Sequence, residues 1–425
     1  ENPEKVRQGA KNKNIEVDID KLLDLDKRRR ELIAEIDNLR AEQNKKSVAG
    51  PQDTEALEEL KKLKEKIRTL EGKFKELEPT FDYLIKKVPN LPLGDVPIGK
   101  DEKDNVIVRE VGDKPSFRFP VKTYIELAER LGIIDTERAA KVSGSRFGYL
   151  KGSGAVLEFA LINFVVERLT NEKWIKKVIK KYNLELSPTP FSPVIPPVLI
   201  KEEAMTGMGY IDTEKDKEER YFLDEDDLFL VGTSEQSIGP MHSEEVFNEK
   251  DLSVRYLGFS SCFRREAGSY GKDVKGILRV HQFDKLEMFS YVKPENSPAE
   301  HKLMSAIEEE LMQELKIPYR LVQLSTGDLS RPAASTLDIE AWLPGQNEYR
   351  ETHSTSNTTD FQSRRLKIKY RKPQGETEFV HTLNGTAFAI GRIIIAIIEN
   401  YQMEKGTVKI PKALKKYMFG IKEIK

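Results

Sequence analysis

The stretch Phe263–Phe289, FRREAGSYGKDVKGILRVHQFDKLEMF, organises the reading of this 425-residue chain. It predicts two strands joined by a long polar loop. Side chains alternate between the two faces of a strand, so Arg264 and Glu266 share one side of the first. In the second, Leu286 and Met288 face one way, and Arg279, Phe283, Lys285 and Glu287 the other. One wall of the hairpin would then carry an aromatic ring, carboxylates and guanidinium groups. That inventory suits a purine nucleotide, its phosphates and a small polar ligand; a solvated sheet face with ordinary Arg–Glu pairs has the same pattern.

Three further segments carry candidate chemistry. Leu383–Arg392, LNGTAFAIGR, reads as a loop entering an apolar helix, with Gly385 and Gly391 allowing close backbone approach. Asn384 and Thr386 add small hydrogen-bonding groups, and Arg392 is the one charge of the segment. An unpaired guanidinium in apolar surroundings is costly, so Arg392 is either a phosphate ligand or a bridge to a core carboxylate. Phe229–Gln236, FLVGTSEQ, ends a strand in small polar residues. Thr233, Ser234 and Glu235 can hold an ammonium group or a hydroxyl, or cap the helix that follows. Asp338 and Glu340 alternate with apolar neighbours, placing two carboxylates on one strand face. Beside them EYRETHSTSN (Glu348–Asn357) adds Glu351 and Ser354, hard oxygen donors suited to magnesium, although isolated carboxylates of this kind are also common surface groups.

The first quarter of the chain has a different texture. From Asp20 to about Val88 apolar residues recur at alternating steps of three and four, most cleanly at Leu60, Leu63, Ile67, Leu70, Phe74 and Leu77. Arg29 and Gln43 interrupt the seam in its first half. A 3.5-residue period predicts a coiled coil. SVAGPQDT (Ser47–Thr54) predicts a turn between the halves, with Asp53 or Thr54 capping the second helix, so the arm should fold back as an antiparallel hairpin roughly 40 Å long. Pro79 should kink the second helix or loosen a turn. Lysines and arginines on the outer faces, such as Lys27–Arg30 and Lys61–Lys66, are interleaved with acids. They suit either a solvated spacer or a lever that grips phosphates.

The linker at Pro89–Asn105 separates the arm from a mixed domain with strands at 256–263, 278–291 and 337–343 and helices at 155–169, 298–315 and 388–401. This predicts an α+β fold built on an antiparallel sheet with flanking helices. The domains expected are 1–105, with the arm at about 20–88, and 106–425. Neither a Walker loop nor a strand-linked GxGxxG is present. Seventy Lys and Arg nearly balance 71 Asp and Glu, so any nucleic-acid surface must be a local patch. The single Cys262 excludes an intrachain disulfide and fits a reducing compartment. No apolar run has the length of a membrane span. A soluble, cytoplasmic protein is expected, with further residues ahead of Glu1, since the chain opens without methionine. The histidines lack zinc-ligand spacing with Cys262, so no zinc is expected.

Together these segments resemble the bacterial-type seryl-tRNA synthetases, which are class II aminoacyl-tRNA synthetases. FRREAGSYGKDVKGILRVHQF is similar to the family's motif 2, VHTLNGTAFAIGR to motif 3, and VIPPV (Val194–Val198) to motif 1, whose proline, Pro196 or Pro197, lies at the dimer interface. GTSEQ resembles the serine-binding loop, and the resemblance extends to the arm, to VPNLP and to SRFGYLKG at Ser145–Gly152. It implies a class II synthetase-type sheet preceded by a tRNA-binding coiled-coil arm, a homodimer, and ligation of L-serine to tRNA(Ser) and also tRNA(Sec), with ATP and Mg²⁺.

The resemblance also implies roles for individual residues. Adenine would stack on Phe283 and be read by Glu266 and the backbone near Val280, with Arg265 also at the ATP site. Arg264 would bridge the α-phosphate and the serine carboxylate; Arg392 would reach the γ-phosphate side; Glu351 and Ser354 would hold Mg²⁺. Arg264, Glu266 and Arg392 would form the catalytic set. The serine ammonium would sit by Thr233, Ser234 and Glu235, and its hydroxyl on Glu287, with Asn384 and Thr386 nearby. Ser234 and Gly232 depart from the family's usual alanine and proline, and His353 stands where relatives carry a small residue; it is expected to point into solvent. Two other readings fit the residues: a class II paralogue charging a non-tRNA acceptor, and a non-catalytic paralogue acting as an RNA-binding scaffold. Such ligase paralogues usually lack the arm, and a scaffold would have lost some of these charged residues.

Overall fold

The structure is a computed structural model, and it describes residues 2–49, 54–266 and 275–425. The middle of the turn expected between the arm helices and the loop of the motif 2 hairpin fall on 50–53 and 267–274, outside the described residues. The chain divides into two compact units, Glu1–Leu91 and Pro92–Lys425. That division lies earlier than the one expected near residue 105. Residues 93–99 already belong to the second unit, where the Leu93 amide donates to the Ala334 carbonyl at 2.9 Å.

The first unit contains α1 (Pro3–Asn12), α2 (Ile19–Ala49) and α3 (Thr54–Lys87). Asn2 caps α1 by accepting the Lys5 amide. The long helices run antiparallel: Glu35 of α2 pairs with Lys66 of α3, and Lys46, further along α2, pairs with the earlier Glu59. At 1.5 Å per residue the 34-residue α3 is about 50 Å long. Ile36, Ile67, Leu70 and Leu84 are buried between them. Arg29, an interruption in the apolar seam, lies over the rings of Phe74 and Phe81, 5.7 and 5.1 Å from their centroids, so its guanidinium packs as a flat plate. The helix α3 continues through Pro79 as one element.

The second unit is built on an eight-stranded sheet. Its strands are β1 (Val106–Val111), β2 (Ser192–Val194), β3 (Val254–Phe263), β4 (Gln282–Val292), β5 (Tyr319–Gln323), β6 (Ser335–Leu343), β7 (Glu348–Asn357) and β8 (His381–Ala389). Their order is β1-β5-β6-β7-β8-β4-β3-β2, antiparallel except for the pairing of β2 with β3. Helices α4 (Ser153–Leu169), α5 (Ser297–Leu315) and α6 (Ile390–Asn400) share a core with the sheet, in which Phe164, Leu303 and Ile394 pack with Leu286 and Met288. Within that interior, Arg255 and Glu300 form a fully buried ion pair at 2.6 Å, and Arg255 also donates to the carbonyls of Ser187 and Thr189.

Two expectations about elements change. The second strand of the hairpin begins at Gln282, so Arg279 precedes it, and Arg264 and Glu266 lie beyond the end of β3. Residues 383–387, read as a loop, and 388–389, read as the start of a helix, belong to strand β8. This strand is covered on both faces, so its sequence lacks the polar–apolar alternation that marks a half-exposed strand.

Candidate active site

The site lies across the middle strands β7, β8, β4 and β3. Alternation along β4 sends Leu286 and Met288 into the helix-covered core and turns Lys285 and Glu287 to the opposite face. A register shift between Leu286 and Glu287 sets Glu287 opposite Thr386 of β8, whose hydroxyl donates to the Glu287 carboxylate at 3.3 Å. A second shift, between Ile339 and Glu340, lets both Glu351 and Thr352 of β7 face the same cavity. That cavity encloses about 270 Å³.

At one end it is closed by acids. Glu235, on a one-turn helix, is 3% exposed and accepts a hydrogen bond from the Tyr210 hydroxyl at 2.5 Å. Burial, reinforced by the charge of Glu287, pushes its carboxyl up to about 7, with Lys285, Tyr210 and Arg264 opposing the rise. Lys285, itself buried, pairs with Glu287 at 2.6 Å. Thr233 completes this end, and Asn384 lies on the same wall. This end of the pocket is buried and lined by hydrogen-bonding groups, which suits a small zwitterion carrying a hydroxyl.

The middle and far end are cationic and aromatic. The Arg264 Nε donates to the Gly232 carbonyl at 3.2 Å, and its guanidinium carbon lies 5.1 Å from the centroid of Phe283. Glu266 pairs with Arg279, and Val280 lines the wall beside Phe283. Arg392, on α6, donates to the Glu351 carboxylate at 3.0 Å and to its carbonyl at 2.8 Å, so the two alternatives for this arginine meet: it lines the cavity and bridges a carboxylate. Ser354 hydrogen-bonds Asp338, whose carboxyl is pushed well above the ordinary range by burial and by the nearby Glu351 charge. The Asp338 Oδ1 is buried without a hydrogen-bond partner. Among the described residues no group of three His, Cys, Asp or Glu side chains is placed to hold a metal.

Most of the expected site residues converge on this one cavity, and two do not. Ser234 is fully buried and its Oγ has no partner; it packs toward Gly258 behind the cavity wall, where a Cβ on that glycine would meet the Ser234 Oγ at 2.6 Å. It forms no side-chain cap on the following helix. Arg265 lies outside the lining, its guanidinium over Tyr221 at 5.8 Å. His353 does not point into solvent. Alternation along β7 aims Thr352, Ser354 and Ser356 at the cavity and turns His353 inward, 1% exposed and edge-on to Phe388, where burial lowers its basicity to about 3. The two glycines of the β8–α6 segment also differ. A Cβ on Gly385 would lie 2.9 Å from the Thr355 Oγ1 and 3.2 Å from the Glu308 Oε1, whereas at Gly391 the nearest atom would be at 3.7 Å, an ordinary contact. Tyr210 and the Lys285–Glu287 pair were not singled out by sequence. Only the period-2 placement of Lys285 and Glu287 on one face hinted at the pair.

A largely antiparallel sheet of this order, with a cavity lined by arginines and carboxylates set over its middle strands, is the arrangement of a class II aminoacyl-tRNA synthetase core. The family model described as "tRNA synthetase class II core domain (G, H, P, S and T)" matches residues 219–401, and "Seryl-tRNA synthetase N-terminal domain" matches residues 1–92. The serine–tRNA ligase of Nitrosopumilus maritimus is 41% identical over 100% of this chain and 98% of its own length, and that of Thermobifida fusca 44% over 98% and 96%. Among solved structures, seryl-tRNA synthetase from Pyrococcus horikoshii complexed with ATP matches with a TM-score of 0.87 and 40% identity over 100% of this chain and 97% of that one. The cytoplasmic enzyme of Naegleria fowleri in complex with AMP gives 0.83 and 32%, over 100% and 96%. The chain belongs to the seryl-tRNA synthetase family, the serine–tRNA ligases.

Proposed function

We propose that the cavity over β7, β8, β4 and β3 activates L-serine with ATP and passes it to the 3′ end of tRNA(Ser). The observation that carries this assignment is the buried cluster of Glu235, Glu287 and Thr386 immediately beside Arg264. The serine ammonium sits between Thr233 and Glu235, and its hydroxyl donates to Glu287 with Thr386 and Asn384 alongside. Arg264 spans the serine carboxylate and the α-phosphate; Phe283 carries the adenine, with Glu266 and the backbone near Val280 reading its edge. Arg392 turns from Glu351 to the γ-phosphate when ATP enters.

The serine carboxylate attacks the α-phosphorus, the bond to the bridging oxygen breaks, and pyrophosphate leaves with the electron pair. No general base is needed, because the nucleophile is already an anion. Negative charge grows on the α-phosphoryl oxygens, and a fixed guanidinium stabilises it more in the transition state than in the ground state. Holding both reactants on one arginine also removes orientational freedom in advance. The terminal ribose hydroxyl of the tRNA then attacks the carbonyl carbon of the adenylate, the bond from that carbon to the phosphate oxygen breaks, and AMP departs with the electron pair, its phosphate taking up the hydroxyl proton.

Glu351 and Ser354, with the unpartnered Oδ1 of Asp338 beside them, are a hard-oxygen donor set that fits Mg²⁺. Bound there, the ion would neutralise phosphate charge and relieve the repulsion that now raises Asp338. The basic faces of α2 and α3 serve as a lever for the long arm of tRNA(Ser), reading backbone and shape, and tRNA(Sec) is a further acceptor. A second copy of the chain covers the motif 1 segment, where Ile195 is 85% exposed and Pro197 rather than Pro196 reaches the surface. The protein works in the cytoplasm, in keeping with its single cysteine and with the absence, among the described helices, of any long and apolar enough to cross a membrane.

The test is discrimination at the hydroxyl. Glu287→Gln or Thr386→Val should raise the KM for serine by about tenfold or more while narrowing the preference for serine over alanine, since an unpaired buried acceptor is what rejects alanine. An unchanged serine/alanine ratio in both variants refutes the assignment.

A further inference from the structure

A second recess of about 430 Å³ opens from the same cavity. It shares Tyr210, Thr233, Arg264, Glu266 and Arg279 with the cavity but includes neither Glu351 nor Arg392, so it lies away from the triphosphate end. Its own lining adds Arg220 together with Glu219, Gly232, Gln236 and Phe263, so three arginines there face two carboxylates, Glu219 and Glu266. The Arg220 guanidinium lies over the Tyr210 ring, 5.5 Å from the centroid, and its buried Nε makes no hydrogen bond. Other partly buried arginines are matched by acids: Arg331 and Arg365 both reach Asp212, at 2.8 and 2.9 Å. Burial disfavours the charged form of Arg220 and the Arg264 charge adds to this, with Glu219 and Asp216 compensating only through space. Of the recess carboxylates, Glu266 is already engaged by Arg279. The recess therefore carries more positive charge than its acids balance, and an anion there would lower its energy.

We propose that Arg220 holds a phosphodiester of the tRNA 3′ end as its terminal ribose approaches the adenylate, an inference that rests on the adenylation reading above. The second step needs the ribose hydroxyl at the carbonyl carbon, between Arg264 and the Thr233–Glu235 end. The phosphate one linkage upstream must then lie nearby, on a side free of the ATP phosphates. The recess is bounded by Thr233 and Arg264 and meets that requirement. A guanidinium offers a planar fork that matches phosphate oxygens.

The experiment compares Arg220→Met and Arg220→Lys with wild type in two assays, serine-dependent ATP–pyrophosphate exchange without tRNA and aminoacylation of tRNA(Ser) over a salt series. Arg220→Met should leave the exchange constants within about twofold, raise the KM for tRNA about tenfold or more, and flatten log KM against log salt by about 0.7, the loss of one phosphate contact on a single strand. Arg220→Lys should keep the salt slope and recover part of the affinity, which also covers the case in which the methionine variant fails to fold. An unchanged tRNA KM overturns the proposal. So does a rise in the KM for pyrophosphate or ATP, which would assign Arg220 to the leaving group, or in the KM for serine, which would assign it to support of Tyr210 and Glu235. Absence of serine-dependent exchange in wild type is a different failure, that of the adenylation reading itself.

Discussion

The serine site proposed at Glu235 predicts pH-sensitive binding in a range where an ordinary glutamate is silent. Its carboxyl is pushed up to about 7 by burial and by the Glu287 charge, whereas an unperturbed glutamate titrates near about 4.3. The proposed contact with the serine ammonium requires the ionised form, so affinity should rise with pH through the raised value and fall below it. With a midpoint near 7, about a tenth of Glu235 is ionised at roughly pH 6 and nine tenths at roughly pH 8. The KM for serine should therefore fall about tenfold from roughly pH 6 to roughly pH 8, equivalent to about 1.4 kcal/mol. Serine-dependent ATP–pyrophosphate exchange measures it, with Glu235→Gln as the control for titration of the phosphates. That variant should show a higher KM and no residual slope from this source. Tyr210→Phe removes a hydrogen bond that now lowers the Glu235 value, so the midpoint should move upward. A wild-type KM that is flat down to about pH 5.5, or a slope that survives in Glu235→Gln, refutes the reasoning.

Three other outcomes follow from the same structure. Glu300→Ala strands Arg255 in the core without its counter-charge and should cost about 3–5 kcal/mol in urea denaturation, whereas replacing both partners by apolar residues should cost far less. Gly385→Ala forces a methyl against the Thr355 Oγ1 and the Glu308 Oε1 and should destabilise by about 1–3 kcal/mol; Gly391→Ala, on α6 where the added methyl meets Ile277 only at ordinary contact distance, should be neutral or slightly stabilising, and equal thermal shifts would contradict the packing account. Deleting Asp20–Val88 should abolish tRNA charging and leave pyrophosphate exchange largely intact, and charging that survives the deletion contradicts the assignment of the arm to tRNA.

Local pattern carried much of this molecule. The helices at 155–169 and 298–315 were legible from apolar content and punctuation to within about two residues, the first presenting a stripe to the core and the second buried on all sides from Leu303 to Met312. Strand β8 was not, since a strand covered on both faces looks like the start of the apolar helix it feeds. The conversion of residues into a site depended on features local pattern does not show. Two register shifts, at Leu286/Glu287 and Ile339/Glu340, decide which β8 and β7 side chains meet β4 and the cavity. His353 was misread for the same reason: its polarity suggested solvent, while the strand's alternation turns it to the helices. Tyr210 reaches Glu235 across 25 residues of sequence, a contact that no motif spacing reveals.

The most direct test of the central claim is exchange of labelled pyrophosphate into ATP by the full-length protein, with each of the common amino acids offered in turn. The account predicts exchange with serine, lost on Arg264→Ala and on Glu287→Ala while the protein remains folded, and no comparable exchange with alanine or threonine. Folded protein that shows no serine-dependent exchange, or that exchanges equally well with alanine, contradicts it.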